Sequence, residues 1–444
     1  MKVLIVSYAY SPELSPRAFR WTAIAEELAS LGHSVKVVCA SSLGQAVAEY
    51  VNGVEIHRAG SNARENIKRW LRLEATTTPI KSTPTLEALV SNRSKIGSFI
   101  KSIYRHTVRK ILWPDFASFW YFSALKLAHK VIKKERPDVL VTVSLPYTSH
   151  LVGLALKRRY AIRWVVDIGD PFSFMTETPV NNYKLFHSLN ARSESRVLQM
   201  ADAITVTTEG TKREYLKHFP ALISKKIVVI PPLFSPPKIV DDSVSFFKDS
   251  KRIRLVFAGT LYRAIRDPIA LLAFFRLLSS TSHGSQVELH FLGVINDCKP
   301  CFFAYEDLLG SKIFLHGLVS RGEALQAMQE ANVLVNLGNS TAFQLPSKVV
   351  EYVMLGKPVL NIAKLESDSS QSFFSDFNGV CNVTEHALAN DLAEFSRVKN
   401  FIHNPPAISP IYIDQLVRKH GTEAITESYL SLLQCDIQPS LSRA

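Results

Sequence analysis

Short apolar runs alternate with longer segments of helical periodicity along most of this chain. In the first half several of these runs are continuously apolar, as strands buried on both faces of a parallel sheet are. We predict strands at Val3–Tyr8, Ser34–Cys39, Val54–His57, Val139–Val143, Trp164–Asp167, Ala203–Thr207 and Ile227–Ile230. We predict helices between them at Ala18–Leu31, Tyr121–Lys134 and Ser149–Arg159. This alternation is typical of a doubly wound parallel sheet.

The alternation stops at residues 230–237, where IPPLFSPP places four prolines in eight positions and indicates a stiff linker. It then begins again. The predicted strands are Arg254–Phe257, Val287–Leu292, Ile313–Leu315, Val333–Leu337 and Val359–Ile362. The predicted helices are Pro268–Leu278, a short one near Tyr305–Leu309, Gly322–Glu330, Ser347–Leu355, Glu385–Phe395 and a last one at Ile413–Leu433.

This pattern predicts an α/β protein with two Rossmann-like, doubly wound parallel-sheet domains that face each other across a cleft. We place the first domain at 1–230, the linker at 231–251, the second domain at 252–410 and a final helix at 411–436. A length of 444 residues suits two domains of roughly 200 residues each. Ligands of such sheets bind beyond the carboxyl ends of the strands, so the loops after strands are candidates for chemistry.

The charge of the chain is basic and unevenly distributed. Lysine and arginine exceed aspartate and glutamate by 52 to 39, which gives +13 and favours anionic partners. Residues 61–114 hold eleven basic and three acidic residues, and apolar residues repeat at helical spacing over Ile96–Leu112. This segment predicts a basic amphipathic helix at an anionic membrane surface or a long anionic substrate. The alternative is a helix packed on the first domain with a solvated polar face.

Several classes of protein are excluded. No run approaches the ~18 apolar residues of a membrane-spanning helix, and we interpret the N-terminus as a strand and not as a secretory signal. Five scattered cysteines do not form a disulfide framework, and we interpret the Cys298/Cys301 pair as incidental thiols. We therefore expect a cytoplasmic protein. Nucleic acid is not expected as a partner, because the charge is concentrated in one insertion without a recognition motif.

One segment, GNSTAFQLPSKVVEYVMLGKPVLNIA at residues 338–363, indicates a nucleotide site. It is typical of a loop, a helix that starts near Pro346, a turn and a strand. Lys348 and Glu351 share one face of that helix, since they are three residues apart. The lysine and the helix N-terminus suit a phosphate, and the carboxylate suits the hydroxyls of a ribose. The alternative is an ordinary helix start with a solvated Lys and Glu.

Other loops after predicted strands carry groups of the same chemistry. Gly259 permits close backbone approach, and Arg263 and Arg266 can chelate a diphosphate unless both are simply solvated. His316 and Leu318 can lie against a nucleotide base, although a lone His is often structural. In the first domain the candidates at strand ends are Arg17, Tyr147, His150 and Asp170, of which Asp170 could equally cap a helix.

These residues resemble the GT-B glycosyltransferases, most closely glycosyltransferase family four and its polysaccharide and O-antigen members. The resemblance is clearest over Arg252–Ala363, and SYAYSPE, GHSVKVV, SLPYTSH and VVDIGDP extend it loosely into the first half. Two positions depart from the family pattern. Phe343 stands eight residues before Glu351, where the family has a second glutamate, and Thr260 replaces the usual arginine after the glycine.

The resemblance implies roles for the candidate residues of the second domain. Glu351 would bind the donor ribose, Lys348 would meet the phosphates, and the last helix would cross back to the first domain. The remaining donor-binding residues would be Gly259, Arg263, Arg266, His316, Leu318, Gln344, Leu345 and Ser347. Because of their positions at strand ends of the first domain, Asp170 and His150 are our candidates for catalysis, and Arg17 and Tyr147 are our candidates for binding the acceptor.

The sequence therefore predicts a glycosyltransferase that moves a sugar from a nucleotide-diphosphate sugar to a hydroxyl of a glycan or lipid-linked glycan in cell-surface polysaccharide biosynthesis. We expect retention at the anomeric carbon and no cofactor or metal, since the chain has no Asp-x-Asp motif. We expect peripheral contact with the inner face of the membrane through residues 61–114. Two alternatives remain open, a nucleotide-sugar epimerase of the same fold and a non-catalytic nucleotide-sugar-binding scaffold.

Overall fold

The fold is seen in a computed structural model of the chain. The structure describes residues 1–13, 15–41, 45–61, 112–233, 245–247, 251–346, 348–366, 368–375 and 377–434. Most of the basic segment 61–114, most of the linker 231–251 and the candidate Ser347 lie outside these residues. The described residues up to 233 form one compact unit together with residues 420–434, and residues 245–419 belong to a second unit.

The first unit is built on an eight-stranded sheet in the order β3-β4-β2-β1-β5-β6-β7-β8. Its strands are β1 Lys2–Ser7, β2 Ser34–Ser41, β3 Ala48–Val51, β4 Val54–Ser61, β5 Val139–Val143, β6 Arg163–Asp167, β7 Ala203–Val206 and β8 Ile227–Val229. The pairs are parallel except β3–β4. Leu4 and Val6 pack into one core, and Val3 and Ile5 pack into another. The sheet is thus buried on both faces, as continuously apolar strands predict.

Helices cover both faces of this sheet. They are α1 Pro16–Ser30, α2 Trp120–Glu135, α3 Thr148–Arg159, α4 Tyr183–Met200 and α5 Glu209–His218, with α13 Thr422–Gln434 from the end of the chain. Helix α1 begins at the cap residue Ser15, whose Oγ accepts a hydrogen bond from the Ala18 N–H. The rings of Trp21 on α1 and Tyr429 on α13 meet edge to face at 4.9 Å. The last helix therefore completes the core of the first unit.

The second unit contains a six-stranded parallel sheet in the order β11-β10-β9-β12-β13-β14. Its strands are β9 Ile253–Ala258, β10 Val287–Leu292, β11 Ile313–Gly317, β12 Val333–Leu337, β13 Val359–Ala363 and β14 Val380–Thr384. Its helices are α6 Ile269–Ser279, α7 Arg321–Glu330, α8 Lys348–Met354, α9 Ser369–Phe373, α10 Glu385–Asn390, α11 Leu392–His403 and α12 Pro410–His420. The predicted pair of Rossmann-like units is confirmed.

Two predicted helices are each divided in the structure. The single helix predicted at Ile413–Leu433 is wrong, because α12 and α13 are separate helices on either side of Gly421 and belong to different units. The helix predicted at Glu385–Phe395 ends at Asn390. A new one starts after Asp391, whose carboxylate accepts from the N–H groups of Ala393 and Glu394 and caps it.

Other local predictions also need correction. Strands β3 and β14 and helices α4, α5 and α9 were not predicted. Near the predicted helix Tyr305–Leu309 the structure has instead a 3₁₀ helix at Asn296–Tyr305, which contains the Cys298/Cys301 pair. No described helix is long and apolar enough to cross a membrane.

Candidate active site

The ends of β9 and β10 meet through two glycines. The Gly259 N–H donates to the Leu292 carbonyl at 2.8 Å. Gly293 has a φ of +127°, and a Cβ built there would lie 2.0 Å from the Gly259 carbonyl oxygen. A Cβ at Gly259 would lie 3.6 Å from Nη1 of Arg266. The structure therefore brings Gly259 and Arg266 together, at a point where the backbone approach requires glycine.

Arg266 lies half-buried and joins the loops after β9 and β12. Its Nη2 donates to Oδ1 of Asn339 at 2.6 Å, and the Ser340 N–H donates to the Ile265 carbonyl at 2.9 Å. Among the described residues Arg266 has no ion-pair partner, and its Nε is buried without a hydrogen bond. Burial lowers the pKa of Arg266 below its ordinary value. A partly desolvated guanidinium of this kind attracts an anion strongly.

Helix α8 is attached to the end of β9 by one tyrosine. The Tyr352 hydroxyl accepts from the Ala258 N–H at 3.0 Å and donates to the Ala258 carbonyl at 3.3 Å. Both residues are buried, so these contacts fix the helix beside the strand end that leads into Gly259. Tyr352 was not predicted as a site residue, since its contact spans 94 positions of the sequence.

Lys348 and Glu351 share a face of α8, as their spacing predicts. Lys348 Nζ donates to Glu351 Oε2 at 2.5 Å, and their side chains are 30% and 12% exposed. The helix is only seven residues long, shorter than the predicted Ser347–Leu355. A short helix has a weak dipole, so the charge of Lys348 would supply most of the attraction for a phosphate.

The loop before α8 is held by uncharged hydrogen bonds. The Gln344 carbonyl accepts from Asn339 Nδ2 at 3.1 Å and from Ser369 Oγ at 2.6 Å, and Gln344 Oε1 accepts from Thr341 Oγ1 at 2.9 Å. Gln344 and Leu345 are both half-buried. The Gln344 amide therefore helps to shape the loop.

A second ion pair joins the loops after β9 and β13. Lys364 Nζ donates to Asp267 Oδ2 at 2.6 Å, while Asp267 Oδ1 accepts from the Ile269 N–H at 3.1 Å. Asp267 thus contacts the start of α6, whose cap residue is Pro268. Lys364 was missed, although it directly follows a predicted strand and the strand-end rule could have found it.

Three predicted donor-binding residues, Arg263, His316 and Leu318, are exposed or make other contacts. The Arg263 side chain is exposed, and the backbone N–H of Arg263 donates to Asp297 Oδ1 at 3.0 Å. The His316 ring hydrogen-bonds His290 at 3.0 Å, and burial lowers the pKa of His316. Leu318 is 80% exposed. His316 belongs to an aromatic cluster, because Phe314 and His316 are two residues apart and therefore point to the same face of β11.

In the first unit a buried carboxylate that the sequence did not single out organises the end of β6. Asp167 accepts hydrogen bonds from Arg17, Trp21, Thr205 and Tyr429, at 3.2, 2.8, 2.6 and 2.6 Å. Burial acts to raise the pKa of Asp167, but nearby guanidinium groups and these hydrogen bonds bring it below its ordinary value. Asp167 is therefore charged and fixes the position of Arg17.

Arg17 lies directly against the backbone of the loop after β6. A Cβ built at Gly169 would lie 1.7 Å from Arg17 Nη2, so the guanidinium occupies the space that only a glycine leaves. The next residue, Asp170, is half-buried. The structure thus brings the candidates Arg17 and Asp170 to adjoining positions at this strand end.

Tyr147 and His150 are both buried. The Tyr147 ring stacks on Phe172 at 3.7 Å, and its hydroxyl lies 3.1 Å from Ser193 Oγ, which places Tyr147 in the core and not on a surface open to an acceptor. His150 Nδ1 lies 2.8 Å from Thr142 Oγ1, and its buried Nε2 has no partner among the described residues. Burial lowers the pKa of His150 to about 3, so this ring is neutral at pH 7.

The described residues contain no group of three or more His, Cys, Asp or Glu side chains arranged to hold a metal ion.

Comparison with known proteins gives this geometry a context. Residues 18–232 match the family described as glycosyl transferase 4-like domain. No curated protein is similar enough in sequence to match the chain. Sucrose-phosphate synthase from Thermosynechococcus elongatus is similar in structure with a TM-score of 0.62 at 13% identity, over 98% of both chains.

Two further structures are similar over nearly the whole chain. OtsA aligns with a TM-score of 0.62 at 11% identity, over 99% of this chain and 100% of its own. The lipopolysaccharide outer core galactosyltransferase WaaB aligns with a TM-score of 0.55 at 12% identity, over 97% and 98%. At such identities structural similarity establishes the fold. Residues 18–232 therefore form a glycosyl transferase 4-like domain, and the chain is a glycosyltransferase with the GT-B fold.

Proposed function

We propose that this glycosyltransferase moves a sugar from a nucleotide-diphosphate sugar to a hydroxyl of a glycan or lipid-linked glycan, with retention at the anomeric carbon and without a metal. One observation carries the proposal. Tyr352 attaches α8, which presents Lys348 and Glu351, to the strand end that leads into Gly259. A cation, a carboxylate and a glycine turn in one place are what a ribose and its diphosphate need.

The two cations would meet the diphosphate of the donor. Arg266 is half-buried without an ion-pair partner among the described residues, and Lys348 is paired only with Glu351, three residues along the helix. When a nucleotide binds, its phosphate would accept from Lys348 and its ribose hydroxyls would donate to Glu351. The ion pair is thus replaced by two contacts with the ligand, and neither charge is left unpaired.

Catalysis would rest on stabilising the diphosphate as it leaves. Negative charge grows on that group as the glycosidic bond breaks, and fixed cations in a partly desolvated place stabilise it most. Arg266 and Lys348 would carry this role, so the proposed reaction needs no metal. Asp170 and the neutral His150 remain our proposed catalytic groups on the acceptor side, with Arg17 to orient the acceptor.

The acceptor and its location are also proposals. WaaB is by its description a lipopolysaccharide outer core galactosyltransferase, which supports a glycan as acceptor here. The net charge of +13 supports an anionic partner. We propose a cytoplasmic enzyme at the inner face of the membrane. Its predicted contact through residues 61–114 falls mostly outside the described residues and stays a prediction.

Thermal stability with a panel of nucleoside diphosphates and nucleotide sugars tests the donor site. A ligand that binds the folded protein raises its melting temperature. We expect a shift with one base, lost in both K348A and E351A, because removing one charged contact weakens binding about tenfold or more. The exposed Lys419 and Glu306 supply matched controls, and K419A and E306A should respond as the wild type does. A shift that survives in K348A and E351A would overturn the donor site.

The reaction is tested with the donor so identified. We expect transfer to a lipopolysaccharide-type acceptor, an unchanged rate in a chelator, and a product whose anomeric configuration matches the donor by NMR. A structure described as a putative UDP-N-acetylglucosamine 2-epimerase from Listeria monocytogenes aligns at a TM-score of 0.50 and 12% identity. The same assay therefore includes a sample without acceptor. A change in the donor sugar there would favour the epimerase alternative.

A further inference from the structure

One face of helix α2 carries an unusual set of exposed side chains. Phe119 and Phe122 are 69% and 76% exposed, and the exposed Lys126, Lys130 and Lys133 continue the same line along the helix. Steps of three and four residues put all five on one side of a helix. We call these five residues the aromatic–lysine stripe. Two exposed aromatic rings in line with three cations are unusual for a surface that meets only water.

The surface around the stripe is basic. An open groove of about 790 Å³ beside it is lined by apolar groups and cations, namely Ala59, Gly60, Ser123, Lys126, Leu127, His129, Lys130, Lys133 and Lys134. No acidic residue occurs from Phe116 to Lys134. Glu135, the only carboxylate of the helix, lies 3.5 Å from Lys36 and 3.4 Å from Lys134. The lysines of the stripe therefore have no acidic neighbour on their own helix face.

We propose that the aromatic–lysine stripe docks the protein on an anionic lipid surface. The phenylalanine rings would enter the boundary of the acyl chains, and the lysines would meet the phosphates of the headgroups. The inference rests on the proposed lipid-linked acceptor, and it assigns the membrane contact to described residues outside 61–114. An enzyme held in this way would work on an acceptor presented in the same surface.

Charge and apolarity together favour lipid over other occupants. A soluble anion would pair with the lysines but would leave both phenylalanines in water. Residues 62–111 of this chain carry eleven basic and three acidic residues, so their charge disfavours them as the occupant of the stripe and would add to the attraction for an anionic surface. A second copy of the chain in a two-fold contact would set lysines against lysines.

Vesicle cosedimentation of the full chain tests this surface. We expect the protein to bind vesicles of phosphatidylcholine mixed with phosphatidylglycerol and not phosphatidylcholine alone. Neutralising two lysines in K126Q/K130Q should weaken binding roughly 30-fold, since each lysine near such a surface contributes about fivefold. Raising the salt from about 0.1 M to about 1 M should release the protein, because the Debye length falls from about 10 Å to about 3 Å.

The aromatic part is tested with F119S/F122S, which should lose vesicle binding at low salt. The control I223S/L392S removes two apolar side chains, each 84% exposed, that are not part of the stripe, and it should bind as the wild type does. Wild-type protein that fails to bind anionic vesicles, or stripe variants that bind normally, would overturn the proposal. So would a wild-type dimer that becomes a monomer in F119S/F122S, since the stripe would then contact a second copy.

The failure of this inference can be told apart from failure of the proposed function. The nucleotide-dependent melting shift is measured on the same variants without vesicles. A stripe variant that keeps the shift is folded, so its loss of vesicle binding reports on the stripe alone. A wild-type protein that binds vesicles but shows no shift with any nucleotide would contradict the donor site and leave the docking surface standing.

Discussion

Replacing Tyr352 by phenylalanine removes the hydroxyl that attaches α8 to the end of β9. That hydroxyl makes two contacts, accepting from the Ala258 N–H at 3.0 Å and donating to the Ala258 carbonyl at 3.3 Å. Tyr352 is 1% exposed and Ala258 is 3% exposed, so water does not reach either group. The ring fits the same space in Y352F, which means that the variant tests the hydrogen bonds and not the packing.

The expected loss of stability follows from the backbone groups of Ala258 that lose their hydrogen-bond partner. The Ala258 N–H would be buried without a partner, and an unsatisfied buried group of this kind costs about 1–3 kcal/mol. For a domain of this size each kcal/mol lowers the melting temperature by roughly 2–4 °C. We therefore expect Y352F to melt about 2–12 °C below the wild type. We also expect weaker nucleotide binding, because α8 would no longer be fixed beside Gly259.

Melting curves and nucleotide titrations of Y352F, the wild type and Y50F provide the measurement. Tyr50 is 73% exposed, so Y50F removes a hydroxyl at little structural cost and serves as the control. A Y352F melting temperature equal to that of Y50F would refute the assigned hydrogen bonds. A lower melting temperature with unchanged nucleotide affinity would show that Tyr352 stabilises the unit without positioning the site, which refutes the reasoning about the donor.

Three further substitutions test other contacts. G293A should destabilise the second unit by roughly 3 kcal/mol or more in denaturant titration, because its Cβ would lie 2.0 Å from the Gly259 carbonyl at a φ of +127°; near-normal stability would contradict the glycine contact. G169A should displace the Arg17 guanidinium and raise the acceptor KM more than it lowers kcat; unchanged kinetics would remove Arg17 from the acceptor site. D167N should destabilise the first unit at pH 7, and its free energy of unfolding should fall less steeply than that of the wild type as the pH decreases. The depressed pKa of Asp167 gives stability that is present above the ordinary 3.8 and lost as the pH falls through the folded pKa. A loss of stability at acid pH as steep as that of the wild type would contradict this prediction.

The sheets could be predicted well because parallel strands are buried on both faces. Val139–Val143, Val287–Leu292 and Val333–Leu337 have the same bounds in prediction and structure. Such strands are continuously apolar between polar segments, and this local signal does not depend on what packs above them. Edge strands lack it, which is why Ala48–Val51, with three exposed residues in four, was missed.

Helix α4 was missed because its buried face is largely polar. Asn190, Ser193 and Glu194 are all buried on it, so apolar residues do not recur clearly at helical spacing. Glu194 accepts from the N–H groups of Phe172 and Ser173 and from the Tyr215 hydroxyl. The helix thus holds the loop after β6 with a buried carboxylate, and only the folded chain reveals the partners of that group.

Among the candidate site residues, contacts that are local in the sequence were predicted, and contacts between distant positions were missed. The contact between Lys348 and Glu351 is local, and the spacing of the two residues was enough to predict it. Tyr352 and Ala258 are 94 positions apart, and Asp167 and Tyr429 are 262 apart. A single sequence contains no signal for such pairs. The local contact was therefore predictable, whereas contacts between distant positions of the sequence were not.

The charge balance of the proposed donor site bears on how catalysis could proceed without the second glutamate of the family that the chain resembles. Phe343 stands at that position, and the amides of Asn339 and Gln344 hold the loop around it. Two carboxylates already act on these cations: Glu351 is paired with Lys348, and the charge of Asp368 raises the pKa of Arg266 against the effect of burial. A further carboxylate at position 343 would weaken the attraction of this place for a diphosphate. The substitution therefore supports a site in which protein cations alone balance the leaving diphosphate.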